Sequence, residues 1–299
     1  MGLAAGCVGP GLAGMRTQVT QDGRLQTVAK ANGTSVSGPY NPVDLVNVWR
    51  VTADGESPNT WLRLDGWGWQ IWRNNDGPIE GGWLADGNNF VASKPWGVTA
   101  PSVDDWSAYQ VPWLAETHSY RQSGDGWEFL DANGTVVARL RIDGVPPANP
   151  NVWDQGRMPP EITDQIRARF AAPKAKPSAP GMTSQDVIGR WEVSDHLIQP
   201  RGRNPPTHPF IEFHPDGTWT GSDGCNGLGG AWRVGEHGRM LATVGPQTAM
   251  GCDGAPVGAW LADSAWVGWG GVIPTEAESG SPLVLFDRNG QSIGIFRRA

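Results

Sequence analysis

The sequence has no run of 18 or more apolar residues, no cluster of basic residues, and only three cysteines among its 299 residues. A membrane-spanning helix needs about 20 consecutive apolar residues, so the first absence excludes such a helix in this sequence. The formal net charge is −7, and no basic patch could follow a phosphate backbone, which argues against a nucleic-acid partner. These absences leave enzymes and binding or structural proteins as the classes to consider.

Patterns typical of a catalytic nucleophile and its base are also missing. None of the five histidines lies in a His-Glu-x-x-His motif, and no Gly-x-Ser-x-Gly elbow occurs. His208 precedes Pro209, and His214 begins a His-Pro-Asp-Gly sequence, which are positions typical of turns. We therefore predict that the protein has no catalytic residue and is not an enzyme.

Other features that suggest a cofactor or paired carboxylates have simpler interpretations. The glycine-rich stretch 224–230 lacks the Lys-Ser/Thr of a phosphate-binding loop. The aspartates at 104–105, Asp216 and Asp223 could be imagined as carboxylate pairs, but surface turns account for them better. His237 lies near two cysteines without the paired spacing of zinc ligands. No cofactor and no metal site is predicted.

What the chain does contain is 42 glycines, 25 prolines and 17 tryptophans. Glycine and proline between short apolar runs favour turns and short strands over long helices. The tryptophans have two interpretations. They fill small β cores, or some of them form a stacking surface for sugars. The best candidates for a ligand-facing aromatic patch are Trp67, Trp69 and Trp72, where Trp67 and Trp69 would share one face of a strand.

The N-terminus places small residues before Cys7, which resembles the lipobox of bacterial lipoproteins, whose cysteine is lipidated. Only six residues precede Cys7 and none is basic, whereas a signal peptide needs a basic region and an apolar region. Either the start codon lies upstream and Cys7 is a lipid anchor, or Cys7 is an ordinary residue. The polar run that follows, to about residue 42, is predicted to be a flexible tether.

Two segments on either side of a proline-rich break resemble each other in the same order, which predicts a tandem duplication. Five pairs match: residues 44–51 with 186–193, 61–66 with 210–217, 81–83 with 230–232, 111–115 with 258–262, and 127–139 with 283–295. The last pair predicts hairpins with Asn-Gly turns of type I′. We expect domains at 43–146 and 183–299, each a small β barrel or sandwich with one short helix, in a mainly β (α+β) chain.

The linker between these halves spans residues 147–182. It is predicted to hold a helix over 159–170, with Ile162, Ile166 and Phe170 on one face that packs on a neighbouring domain. A second helix is expected over about 255–266. The linker ends in a Pro/Ala-rich run with no core of its own.

Cys225 and Cys252 are the only pair left once Cys7 is set aside. That count fits a disulfide in an oxidising compartment, and two buried free thiols are the alternative. Gly224 would allow a tight turn beside Cys225. Asn226 would bond backbone groups of that turn, and Met250 would plug the core.

In the second half, Gly224-Cys225-Asn226 follows a strand, and the sequence Thr248-Ala-Met250-Gly-Cys252 comes later. This combination resembles the META (HslJ-like) domain family, and the resemblance runs from about Ser184 to Ala299. It implies a small β-rich module with no established enzymatic activity. The first half lacks the motif, since Asp76 stands where the spacing would place Cys225, so it is expected to be a diverged repeat.

Through this resemblance the chain is expected to be an exported cell-envelope protein. The family includes bacterial surface lipoproteins associated with heat shock and resistance to certain antibiotics, and the composition suits an actinobacterium. The expected role is binding or structural, in envelope stress tolerance. The membrane would be contacted through Cys7, and an envelope protein or a glycan would be the partner. The alternative is a tryptophan-rich glycan-binding module.

Overall fold

The computed structural model describes residues 15–19, 25–29, 40–73, 77–98, 106–199, 207–248, 250, 253–271 and 281–299. Within them the chain is mainly β, with two nearly closed, barrel-like sheets and short helices, so the predicted fold class is confirmed. The four α-helices of these ranges are α1 (Pro112–Glu116), α2 (Asp164–Phe170), α3 (Ser184–Val187) and α4 (Val257–Asp263). Single 3-10 turns lie at Pro42–Leu45, Trp106–Tyr109, Asp154–Arg157, Asp195–Leu197 and Glu236–Gly238. No described helix has the length and apolar character needed to span a lipid bilayer.

A separate compact unit at the N-terminus contains a two-stranded antiparallel hairpin. Its strands are β1 (Met15–Val19) and β2 (Leu25–Ala29), with Met15 opposite Ala29. These strands fall inside the segment that the sequence predicts to be a tether. The alternation of polar and apolar residues in each strand was the signal for them, and it is weak because the strands contain few large apolar side chains.

The first barrel-like sheet contains ten strands. They are β3 (Asn47–Ala53), β4 (Thr60–Leu64), β5 (Trp69–Arg73), β6 (Ile79–Gly81), β7 (Trp83–Asp86), β8 (Asn89–Ala92), β9 (Gly97–Val98), β10 (Ser119–Ser123), β11 (Gly126–Leu130) and β12 (Val136–Arg141). The order in the sheet is β7-β8-β10-β11-β12-β3-β4-β5-β6-β9. Strands β6 and β7 are joined by Gly82 alone, yet they lie near opposite ends of this order. The sheet must therefore curl until its ends meet.

The second barrel-like sheet contains eight strands. They are β13 (Gly189–Val193), β14 (Phe210–Phe213), β15 (Thr218–Ser222), β16 (Gly227–Val234), β17 (Met240–Ala242), β18 (Trp266–Trp269), β19 (Leu283–Phe286) and β20 (Ser292–Arg298). The order is β17-β16-β15-β14-β13-β20-β19-β18. The two ends of this sheet meet as well, because Arg239 forms an antiparallel bridge with Trp266, and the N–H of Met240 donates to Ala265 at 3.0 Å.

The two barrels have the same order of strands around the ring. Strands β3, β4 and β5 correspond to β13, β14 and β15, and β6 with β7 corresponds to the single strand β16. At matching positions, Trp49 and Trp191 each donate the indole N–H to the carbonyl four residues earlier, at 2.8 and 2.7 Å. The shared order supports the predicted duplication, which stays a prediction.

The final hairpins correspond, but their turns are not of the predicted type. A type I′ turn needs positive φ at both central residues, and neither Asn133 nor Asn289 has one. Instead Gly134 and Gly290 take φ values of +79° and +76° after a turn that begins at an aspartate. In the first hairpin, Asp131 accepts the backbone N–H groups of Asn133 and Thr135 at 2.8 Å. This carboxylate stabilises a turn with a glycine bulge, which accounts for the difference.

Helix α2 begins after its N-cap residue Thr163 and buries Ile166 and Phe170 in the core of the first barrel. The Phe170 ring stacks on Trp83 with centroids 4.8 Å apart. The predicted apolar face is therefore confirmed for Ile166 and Phe170, but the helix begins at Asp164 and not at residue 159, so Ile162 precedes it and packs on the barrel only partly buried. Upstream in the linker, Val152 packs on Trp61 and Trp72 against the outside of the barrel.

The two barrels dock through the outer surface of β16 and β17. Ala231 and Leu241 on these strands belong to the apolar core that the first barrel forms. At this junction the Arg239 Nε donates to Asp86 at 2.9 Å, and the Arg239 guanidinium also lies over the Trp266 ring, 4.4 Å from its centroid. The docking surface thus joins the barrels by apolar contact and by ion pairs, of which that of Arg239 with Asp86 is largely buried.

Candidate functional site

The turn after β15 carries the Gly-Cys-Asn motif. Gly224 has a φ of +111°, a conformation that L side chains rarely adopt, so the predicted tight turn at this glycine is confirmed. The carboxylate of Asp223 accepts the backbone N–H groups of Cys225 at 2.8 Å and Asn226 at 2.6 Å. Asp223 is therefore occupied by its own turn, as the sequence interpretation of this residue expects.

The side-chain amide of Asn226 is buried and uses all its hydrogen-bonding capacity. Its nitrogen donates to Asp223 at 2.8 Å and to the carbonyl of Met250 at 2.9 Å. Its oxygen accepts the Thr248 hydroxyl at 2.6 Å and the Met250 N–H at 2.8 Å. An amide has two donors and about two acceptor positions, so none is left unsatisfied. Asn226 therefore joins the Gly-Cys-Asn turn to the Thr-x-Met segment.

Met250 does not plug the core, and that prediction is wrong. Its side chain is 61% exposed, because the backbone of Met250, and not its side chain, is held by Asn226. A cleft of about 210 Å³ lies beside this segment and is lined by Cys225, Met250 and the start of α4. Cys252 lies outside the described residues, so its pairing with Cys225 stays a prediction.

Two of the three tryptophans predicted to face a ligand are buried. Trp69 points into the barrel, and Trp72, on the opposite face of β5, is covered by Val152 of the linker. The predicted aromatic patch is therefore wrong for Trp69 and Trp72. Trp67 also does not share a strand with Trp69, because it lies in a turn where its N–H donates to Asp65 at 2.8 Å. Trp67 itself is 56% exposed.

Trp67 lines a groove of about 450 Å³ at the junction of α2 with the loops of the second barrel. The guanidinium of Arg169 lies over the Trp67 ring, 5.3 Å from its centroid. Arg288, from the last hairpin, lies beside it and donates to the carbonyl of Arg169. Asp263 and Asp287 also line the groove. An exposed indole among charged hydrogen-bonding groups suits a flat, polar ligand.

The charges of this groove influence one another. Burial, and then the charge of Arg288, lower the pKa of Arg169, whereas Asp263 and Asp65 oppose this shift. Sequence reasoning missed Arg169 and Arg288 as groove residues. The chain separates them by more than a hundred positions, so no local sequence pattern connects them.

Other positions singled out from the sequence have structural partners. The ring Nε2 of His208 lies 2.8 Å from the Val193 carbonyl oxygen, and that of His214 lies 3.0 Å from the Thr220 hydroxyl. Asp216 accepts the N–H of Thr218 at 3.0 Å, as a turn residue does. Cys7, Asp76 and the aspartates at 104–105 lie outside the described residues.

The comparisons with known proteins locate one domain. The family model described as META domain matches residues 185–263, from within α3 to the end of α4. No curated protein and no solved structure matches the chain. The matched residues include Gly224, Asn226 and Met250, whose hydrogen bonds account for the motif. The second barrel therefore contains a META domain.

Proposed function

We propose that this chain is a non-enzymatic protein of the bacterial cell envelope that works by binding or by structural contact. The META domain carries this proposal, because its motif residues are used for architecture. The side-chain amide of Asn226 makes all its hydrogen bonds within the domain, and Gly224 adopts the positive φ that the turn requires. Because the motif residues hold the backbone in place, they support a role for the domain as a scaffold whose surface contacts other molecules, and not as a reaction centre.

In this proposal the chain is an exported lipoprotein held at the membrane through Cys7. One acylated terminus with a polar segment after it anchors a folded body without a spanning helix. The test is expression from the native locus with its upstream DNA, followed by membrane fractionation. The wild-type protein is expected in the membrane fraction and a Cys7→Ser variant in the soluble fraction. Equal distribution of both proteins would rule out the anchor.

The second candidate function is glycan binding, and the Trp67 groove favours it. An exposed indole can stack on a sugar ring while Arg169 and Arg288 bond its hydroxyl or acidic groups. The experiment is titration of the protein with soluble cell-wall glycan fragments, followed by tryptophan fluorescence and calorimetry. Trp67→Ala should weaken binding about fivefold or more, since an aromatic stacking contact contributes about 1–3 kcal/mol.

Trp153 offers a matched control for that experiment. It is 84% exposed and does not line the Trp67 groove. Trp153→Ala should leave glycan affinity unchanged if the groove is the site. Equal losses in both variants would point to nonspecific aromatic adsorption and would count against the glycan-binding function.

A further inference from the structure

A second cleft, of about 270 Å³, lies where the two barrels dock. It is lined from the first barrel by Lys94 and His118 and from the second barrel by Arg233 of β16. Side chains alternate along a strand, and Trp232 and Val234 point into the core of the second barrel. Arg233 therefore points outwards, on the same face as Ala231, into the apolar surface against which the first barrel packs.

Within the described part of the chain, the guanidinium of Arg233 makes no hydrogen bond or ion pair. Its Nη1 atom is buried and has no partner. Burial lowers the pKa of Arg233 to about 10, which leaves the group charged at neutral pH. Arg233 is half-buried, and a charge that is largely removed from water without a partner is costly to a fold, so an anion that fills the cleft would be bound favourably.

The other charged groups of the cleft do not neutralise Arg233. Lys94 and Asp216 form an ion pair at 3.1 Å, so their charges cancel. His118 is kept neutral, because burial and the charge of Arg233 lower its pKa to about 4. These groups together leave one uncompensated positive charge, which is that of Arg233.

The architecture itself does not require an arginine at this position. Gly81-Gly82-Trp83 in the first barrel corresponds to Gly230-Ala231-Trp232 in the second, so Leu84 stands where Arg233 stands. Leu84 belongs to the apolar cluster of the first barrel and also lines the Trp67 groove. The same strand position is thus filled by an apolar side chain in one half and by a charged side chain in the other.

We propose that this cleft binds a small carboxylate with an apolar remainder, held through its carboxylate by Arg233. The planar guanidinium matches a carboxylate with two parallel N–H···O bonds. Val91, Ala92, Ala115 and Ile188 line the same cleft and would contact the apolar part of the ligand. The volume suits a single small molecule and not a polymer.

The test uses the full chain and benzoate as the probe, with benzamide as its uncharged analogue and inorganic phosphate as a purely charged one. Benzoate should raise the melting temperature of the wild-type protein in a saturable manner, and benzamide and phosphate should not at equal concentrations. Arg233→Leu should abolish the benzoate response while raising the melting temperature of the ligand-free protein. Arg233→Lys should retain a response weakened by about tenfold, because lysine cannot bond both oxygens in the same plane.

Arg141→Leu is the matched control, since Arg141 is exposed and lines a different groove, and it should respond to benzoate as the wild type does. A second readout is independent of any variant, because benzoate should shift the NMR signals of the His118 ring in the wild type. An equal response to phosphate, or an undiminished benzoate response in Arg233→Leu, would overturn the proposal. So would unchanged His118 signals at saturating benzoate.

Discussion

The amide of Asn226 holds the backbone of Met250 from both sides, donating to its carbonyl at 2.9 Å and accepting its N–H at 2.8 Å. This pair of bonds connects two segments that are 24 positions apart in the chain. It also gives a structural reason for the Gly-Cys-Asn and Thr-x-Met sequences to occur together, since each supplies partners for the hydrogen bonds of the other.

We expect Asn226→Leu to lower the free energy of unfolding by about 3 kcal/mol, because it removes the four hydrogen bonds of a buried amide, each worth about 0.5–1.5 kcal/mol. Urea denaturation of the full chain measures this loss. Asn289→Leu is the control. Asn289 is exposed, and among the described residues its side chain bonds only to the nearby Asp287, so its replacement should cost less than about 1 kcal/mol. A loss in Asn226→Leu no larger than the control's would show that the clamp contributes little.

The second prediction concerns the pairing of Cys225 with Cys252. Because Asn226 fixes Met250, the chain two residues before Cys252 is held beside the turn that carries Cys225. We expect a disulfide that stabilises the second barrel by about 3–4 kcal/mol. Denaturation midpoints with and without reductant should differ in the wild type and coincide in Cys252→Ser. Alkylation of both thiols in the unreduced, denatured protein would contradict the pairing.

The third prediction concerns the more buried of the ion pairs that join the barrels. The side chains of Arg239 and Asp86 are only 15% and 22% exposed, and Arg239 also donates to the Ala265 carbonyl at 3.0 Å. Replacing one partner of a largely buried ion pair leaves the charge of the other without a partner. Arg239→Met should therefore lower the free energy of unfolding by about 3 kcal/mol. The more exposed pair of Arg50 with Asp143 is the control, and Arg50→Met should cost less than about 1 kcal/mol. Equal costs would mean that the junction does not depend on the ion pair.

The fourth prediction is a dependence of stability on pH. Because burial and Arg233 lower the pKa of His118 from 6.5 to about 4, the unfolded chain binds a proton in this range that the folded chain does not. The contribution of His118 to the free energy of unfolding is therefore complete above pH 6.5 and is lost as the pH falls towards 4. With solvent screening included, the loss is about 2 kcal/mol.

Urea denaturation of the wild type and His118→Gln, at pH values of about 7 and about 4.5, isolates this contribution. The wild type should lose more stability on acidification than the variant does. The Arg233→Leu variant should show a higher His118 pKa in an NMR titration, because the lowering charge has been removed. Identical pH dependence of the wild type and His118→Gln would show that another group is responsible.

The sequence predicted those elements whose signals are local. The Asn-Gly dipeptides located the final hairpins, and the spacing of Ile162, Ile166 and Phe170 located the apolar face of α2. The turn type was missed because it depends on where the Asp131 carboxylate points. The burial of Trp72 could not be predicted from β5 alone, since Val152, some 80 positions later, covers it.

The candidate sites were less predictable because they form where distant segments meet. Arg169 and Trp67 come together only when α2 packs on the first barrel. The isolation of Arg233 is a property of its surroundings, and no pattern in the sequence distinguishes it from an arginine on an exposed strand. Its counterpart Leu84 becomes informative only after the two strand orders have been aligned.

The docking of the barrels has an approximate two-fold symmetry. Strand β16 lies against β8, and β17 lies against β7 and β8. When the two strand orders are aligned, β7 corresponds to the end of β16, and β8 corresponds to β17. Each barrel therefore offers its partner the same face, as the subunits of an isologous dimer do. Such an interface is closed, because both copies of the face are used and none is left to recruit a third barrel. A lone domain with this face would be expected to pair with a second copy of itself, and the covalent linkage of the two barrels makes their association independent of concentration.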